Sequence, residues 1–203
     1  MSTAPSPPVS KREQTKQANR AAILSAARAV FADMGYGAAT VRDIVRATDL
    51  AAGTFYNYFP DKEAVFRALL EESAERVRVR TRLGRAGAES LEDFVRGGYR
   101  AYFQAVAEDP MTFELTRRNA GTIRTLFNTP GIGAGVDELL FDLSAAVEAG
   151  LMPVVDIEYC AAAMVGVGFE VGVRMVERDP ADPEAAAEFA TRLFLGGLER
   201  LSR

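Results

Sequence analysis

Apolar residues recur along this chain at intervals of three and four, and no segment alternates with the period of two that a half-buried strand needs. The spacing of Ile23, Ala27, Val30, Phe31 and Met34 predicts a helix over 16–34, which Gly35 stops. Two short helices follow, one opening at Thr40 and one over 51–58. Asp61 then caps a longer helix whose stripe is Val65, Phe66, Leu69 and Leu70 and whose second half, to Arg82, is charged. Beyond Gly84 and Gly87, Ser90 caps a helix through Leu91, Phe94, Val95, Tyr99, Tyr102, Phe103 and Val106 to Glu108. Residues 111–127 read as one or two short helices, and further helices are expected over 136–149, 156–178 and 183–203. The fold class is all-α.

The stretch from Thr40 to Lys62, TVRDIVRATDLAAGTFYNYFPDK, organises the rest. Thr40 with Asp43 three residues on is a capping-box pattern, and Val41, Ile44 and Val45 give the short helix a buried stripe. That helix stops near Thr48-Asp49, where an aspartate tolerates a left-handed helix end, and Leu50, Phe55 and Tyr56 begin the next apolar set. Two short helices around a tight turn are the pattern of a helix-turn-helix, whose second helix enters the major groove of DNA with its N-terminal residues against base edges. On that reading Ala52, Gly53 and Thr54 face bases, with Thr54 and Arg42 the first choices for specificity. Thr40, Tyr56, Asn57, Tyr58 and Lys62 supply the hydroxyl, amide and ammonium groups that phosphates take. Phe55 and Phe59 are core.

The run GTFYNYFPDKEAVF, following TVRDIV and a first amphipathic helix, resembles the N-terminal domain of the TetR (tetracycline repressor) family over Thr15 to Leu70. The turn Thr48-Asp49-Leu50 lacks the glycine usual there, and a basic residue often found near Ala52 is missing. The resemblance implies an N-terminal three-helix DNA-binding domain and a C-terminal helical domain for ligand binding and dimerisation. It also implies a small-molecule inducer that releases the DNA.

Net charge is −4, which at first opposes a nucleic-acid partner, but the charge is unevenly placed. Residues 1–62 hold eight basic against five acidic side chains, net +3, while 63–203 hold sixteen against twenty-three, net −7. A basic head on an acidic body fits a DNA reader joined to a domain with another task. Lys11, Arg12, Lys16 and Arg20 read either as a mobile arm along the DNA backbone or as a solvated tail. Residues 2–9, STAPSPPV, are rich in proline and serine and are expected to be disordered. The expected division is a tail over 1–14, a DNA-binding domain over 15–60 and a ligand-binding and dimerisation domain over 61–203.

With no histidine in the chain, Ser-His-Asp and Cys-His catalysis and the common zinc sites are excluded; no catalytic residue, metal or cofactor is expected. The single cysteine, Cys160, lies in an apolar run and reads as a buried inert thiol. No apolar stretch of the length needed to cross a bilayer is expected, since Cys160 to Phe169 is followed at once by Glu170; a cytoplasmic protein without membrane partners is expected.

In the body, Tyr99, Tyr102, Phe103, Phe113, Phe127 and Phe169 read either as the lining of a largely apolar effector pocket or as ordinary core. Arg117, Arg118, Asn119, Thr122 and Arg124 read either as a site for a charged ligand end or as partners of acids such as Glu114 and Asp109. An acyl chain with a charged end would suit both sets. Gly131-Ile132-Gly133-Ala134-Gly135 has neither a preceding strand nor a following Lys-Ser/Thr, so a flexible connection is expected rather than a phosphate loop. The nearly all-apolar helix after Asp156 needs cover on two sides, and with the last helix it is expected to form a four-helix homodimer interface through Met164, Gly168, Gly172, Phe189, Leu193 and Gly197. The resulting expectation is a ligand-responsive homodimeric regulator, most simply a repressor, that binds double-stranded DNA at a pseudo-palindromic operator. A helical protein–protein interaction module and a helical enzyme without histidine chemistry are the alternatives.

Overall fold

The computed structural model describes residues 10–119 and 130–201, and all regular elements among them are helices. In chain order these are α1 (Lys11–Met34), α2 (Val41–Arg46), α3 (Ala52–Tyr56), α4 (Lys62–Arg85), α5 (Leu91–Glu108), α6 (Pro110–Arg118), α7 (Pro130–Glu148), α8 (Ile157–Val176) and α9 (Pro183–Leu201). They form two compact units that divide between Leu69 and Leu70, so α4 contributes to both.

The first unit is a small aromatic-rich head. Ile23, Leu24, Ala27, Phe31, Ile44, Phe55, Phe59, Val65 and Phe66 are buried there. Phe31 meets Tyr36 and Phe66 edge-on at 5.5 and 5.9 Å between ring centroids, an arrangement that suits the positive ring edge to the negative face. Gly35 ends α1 at φ 79°, a conformation glycine adopts without steric cost, and its N–H closes the last turn onto the Phe31 carbonyl. The start of α1 differs from the sequence expectation. Ser10 caps it by accepting from the Glu13 N–H, and the stretch read as an arm or tail, Lys11 to Arg20, is helix. Lys, Arg, Gln, Glu and Ala are all good helix formers, so this polar stretch continues the helix although it has no apolar stripe.

In the second unit α5 packs on α8 and α9 around Val95, Tyr99, Phe103, Val106, Cys160, Ala161, Met164, Ala190 and Phe194. Burial pushes the Cys160 thiol pKa up, and the nearby Asp156 carboxylate adds to the shift. Asp109 caps α6 with Pro110 at its first position. Phe127, Thr122 and Arg124 lie outside the described residues. The glycines expected to make a flexible connection instead lie in α7, where Gly131 faces the Glu71 side chain of α4, 3.1 Å from where a Cβ would stand, and Gly135 faces Arg78.

One expectation about membranes is corrected. α8 is long and apolar enough to cross a bilayer by length and composition, with a mean hydropathy of 1.4 over its best window. Its apolar character is used here for packing, because Cys160, Ala161, Met164, Gly168, Gly172 and Met175 bury one face in the unit's own core.

The C-terminal half of α4 is held by charge. Arg76 pairs with Asp109 at 2.7 Å and Arg80 with Glu108 at 2.6 Å, both at the end of α5. Arg78 binds Glu75 and Glu138, and Arg85 binds Asp142 at 2.9 Å, reaching α7. Arg85 is 9 % exposed and lies 5.6 Å from the centre of the Phe94 ring. Its stem runs over Gly98, where a Cβ would stand at ordinary contact distance, 3.4 Å from the Arg85 Cγ.

Candidate nucleic-acid interface

The capping box read from the sequence is complete. Thr40 Oγ1 accepts from the Asp43 N–H at 3.3 Å and donates to Asp43 Oδ2 at 2.6 Å, while the Thr40 N–H donates to the same carboxylate at 3.0 Å. These bonds hold the Asp43 carboxyl below the usual carboxylate range. The Thr40 hydroxyl proton is therefore used inside the cap. The turn into α3 is held by Thr48, whose hydroxyl donates to the Val45 carbonyl at 2.8 Å and accepts from the Leu50 N–H at 3.2 Å. No non-glycine residue among those described has a positive φ, so this turn needs neither a glycine nor a left-handed Asp49. A side-chain tie does here what a glycine does in the pattern the sequence departs from.

α3 is shorter than expected, five residues, and it is fixed by burying Phe55 and, just beyond it, Phe59. That leaves Ala52, Gly53, Tyr56 and Asn57 exposed, Thr54 and Tyr58 half-buried, and Arg42 on α2 exposed. Tyr56 is 57 % exposed, although its ring touches Phe55 edge-on at 5.4 Å. A Cβ added at Gly53 would meet nothing within 4 Å, so packing within the chain does not require glycine there. Gly53→Ala is expected to leave the melting temperature unchanged or slightly raised, by about 0.4–1 kcal/mol at a compatible site. The same methyl would stand on the exposed face of α3 and weaken binding to a duplex selected by the unaltered protein. Equal affinity in a gel shift would mean that this face does not meet the DNA.

Lys62 stands elsewhere than its assignment as a phosphate contact. Its ammonium donates to the carbonyls of Tyr36, Gly37 and Ala39 at 2.9, 3.2 and 2.8 Å and lies 4.8 Å from the centre of the Tyr36 ring. An ammonium has three donors, and all three are used to tie the α1–α2 loop to the start of α4.

In the second unit the structure brings Tyr99, Tyr102, Phe103, Phe113 and Phe169 together. Tyr99 stacks on Phe103 at 6.0 Å, Tyr102 meets Phe103 at 5.3 Å, and Phe113 meets Phe169 at 5.5 Å. The Tyr99 hydroxyl donates to the Met164 carbonyl at 3.2 Å, and burial raises the pKa of Tyr99 and Tyr102 alike. Thr112, beside Phe113, was not singled out by the sequence; it is fully buried and its hydroxyl has no hydrogen-bond partner among the described residues. Arg117 and Arg118 are not convergent with this cluster's polar groups but clasp Glu114, at 2.6–2.7 Å, and hold its carboxyl down at about 2. Asn119 donates to the Leu115 carbonyl at 2.8 Å. The ion-pair alternative is the arrangement present, with Asp109 taken by Arg76 rather than by this cluster.

The residues expected at a subunit interface fall into two groups. Met164, Gly168 and Gly172 are buried within the protomer, and a Cβ at Gly172 would come within 3.2 Å of Phe113 Cζ. Those two glycines admit aromatic rings of their own chain, not a partner helix. Phe189 and Leu193 are 58 % and 53 % exposed, and a Cβ at Gly197 would meet nothing within 4 Å. Tyr159 on α8 and Phe141 on α7, which the sequence reading passed over, are also exposed.

Residues 23–69 match the family model described as bacterial regulatory proteins, tetR family. The head thus carries a TetR-type DNA-binding domain. Of the curated relatives, the HTH-type transcriptional repressor Rv1474c of Mycobacterium tuberculosis is 34 % identical over 129 residues, which is 64 % of this chain and 62 % of that protein. The match thus spans somewhat less than two thirds of that relative's length. Among solved structures, the fatty acid degradation regulator FadR from Bacillus halodurans superposes with a TM-score of 0.78 at 26 % identity, covering 89 % of this chain and 96 % of that one. FadR from Bacillus subtilis, solved in complex with stearoyl-CoA, gives 0.75 at 20 % identity over 87 % and 98 %. TetR-type architecture therefore extends through both units of the chain.

Proposed function

We propose that the protein is a cytoplasmic, homodimeric transcriptional repressor that reads a pseudo-palindromic operator through α2 and α3 and leaves it when an acyl-chain compound binds the second unit. The observation that carries the DNA reading is the exposed face of α3, Ala52, Gly53, Tyr56 and Asn57, standing on a buried aromatic footing with its preceding turn pinned by Thr48. Residues at the start of such a helix reach base edges, and the hydroxyl and amide groups of Tyr56, Asn57 and Tyr58 suit contacts to phosphates. Arg42 is placed to add a charge-assisted contact.

The aromatic cluster of Tyr99, Tyr102, Phe103, Phe113 and Phe169 supports an apolar effector, as does the likeness of fold to a regulator solved with stearoyl-CoA. A second copy of the chain would cover Phe189, Leu193 and the open surface at Gly197. Signal transfer would run through α4, which belongs to both units and whose second half is tied to α5 and α7 by ion pairs. An effector that binds better to a form with displaced α4 shifts the population from the DNA-competent state, and a coupling of about 1–3 kcal/mol suffices.

A gel shift with a duplex selected from a random pool tests the reading, repeated with fatty acyl compounds. Tight binding that falls steeply with salt is expected, and Arg42→Ala should weaken it by about 1–3 kcal/mol, roughly 5- to 150-fold, if Arg42 reads a base. Failure to select any duplex would favour the helical interaction module.

A further inference from the structure

We propose that the first three turns of α1, from Lys11 to Ala22, are a second DNA-contact element that lies along the phosphate backbone beside the footprint of α3. This rests on the DNA-binding reading above and adds to it a surface outside the helix-turn-helix. Burial in α1 begins only at Ile23; before it every residue is exposed except Asn19, which is half-buried. A helical stretch of this length with no buried face is marginal on its own in water and gains from an external partner.

The chemistry of that partner follows from the side chains. Arg12, Lys16 and Arg20 recur at intervals of four, which places them on one ridge of the helix. Neighbouring like charges on a ridge repel, and an anion running alongside removes the repulsion. The side on which the ridge lies is given by Arg20, whose guanidinium sits 5.7 Å from the centre of the Phe59 ring, three residues beyond the end of α3. Farther along, α1 turns to α4, where Phe31 meets Phe66. The basic half is therefore anchored at Arg20 beside Phe59, three residues beyond α3, and at about 1.5 Å per residue Lys11 stands roughly 13 Å along the helix from Arg20. A row of cations that continues from the edge of a DNA-reading helix matches a polyanionic backbone. It does not match a compact acidic ligand, which a straight row of exposed, well-separated cations cannot surround.

The test uses the full chain and the duplex that it selects. Arg12→Gln and Lys16→Gln together keep good helix formers at both positions, so circular dichroism and melting should not change. Against rising salt, the slope of log affinity on log salt should become shallower by about 1.8, since each phosphate contact contributes about 0.9. The preference for the selected duplex over an unrelated one should stay the same, because phosphate contacts carry no sequence information. The charge-conserving pair Arg12→Lys and Lys16→Arg should restore the slope. A double glutamine variant with the slope of the unaltered protein overturns the proposal while leaving the helix-turn-helix reading intact. An unaltered protein that binds no duplex overturns both.

Discussion

Gly97→Ala is expected to destabilise the second unit by at least about 1–3 kcal/mol, the usual cost of forcing extra volume into a packed site. A Cβ at Gly97 would overlap the Gly84 carbonyl oxygen, and one at Gly84 would lie 2.5 Å from the Gly97 carbonyl oxygen and 2.9 Å from the Ala101 Cβ. The last turn of α4 and the first half of α5 thus cross backbone to backbone. No flexible side chain stands there to yield, so an added methyl must push the helices apart. Separation would also pull at the Arg85–Asp142 pair and at the packing of Arg85 on Phe94. Urea or thermal unfolding of the full chain reads the loss directly. Gly84→Ala should behave alike, and the double variant should cost less than the sum, because both methyls act on one crossing. A Gly97→Ala protein as stable as the original would show that the crossing is not tight.

The second large effect is expected at Lys62. Lys62→Ala removes a cation from three carbonyl bonds, and hydrogen bonds to charged groups are worth about 1.5–3 kcal/mol. The loss is kept from being larger because the Gly37 carbonyl is exposed and can turn to water. The head should melt earlier. Operator affinity should fall through loss of the folded head, so the salt slope of the remaining binding stays as it was. A phosphate-contacting lysine behaves in the opposite way: its loss leaves melting unchanged and lowers the slope by about 0.9. That second pattern would return Lys62 to the DNA surface.

Much of the architecture could be read from spacing and caps. Ser90 accepts from the backbone three residues on, and α5 begins where that cap was expected to open it; Asp109 and Asp156, not read as caps, open α6 and α8 in the same way. Gly35 closes α1 as expected, and Gly150 follows α7, both at positive φ. Within the candidate site, the Thr40–Asp43 box and the core roles of Phe55 and Phe59 follow from local pattern alone, because each depends on residues three or four apart. The partners of the cations did not follow. Lys62 is bound to carbonyls about 25 positions earlier in the chain, and Arg85 to a carboxylate 57 positions later. Nothing in the spacing of charges distinguishes these from contacts to a ligand or to DNA.

The sequence by itself determined the helical class, the helix-turn-helix with its buried aromatic footing, and the basic character of the chain's first part. Periodicity, capping and composition are local properties, and they persist in any packing of the helices. Only the tertiary structure decided which face of each element is spent inside the protomer. It turned Met164, Gly168 and Gly172 inward against Tyr99, Tyr102 and Phe113, and left Tyr159, Phe189 and Leu193 outward. On a helix apolar almost all round, hydrophobicity does not say which side meets the core; the choice falls to the fit of particular rings against particular glycines.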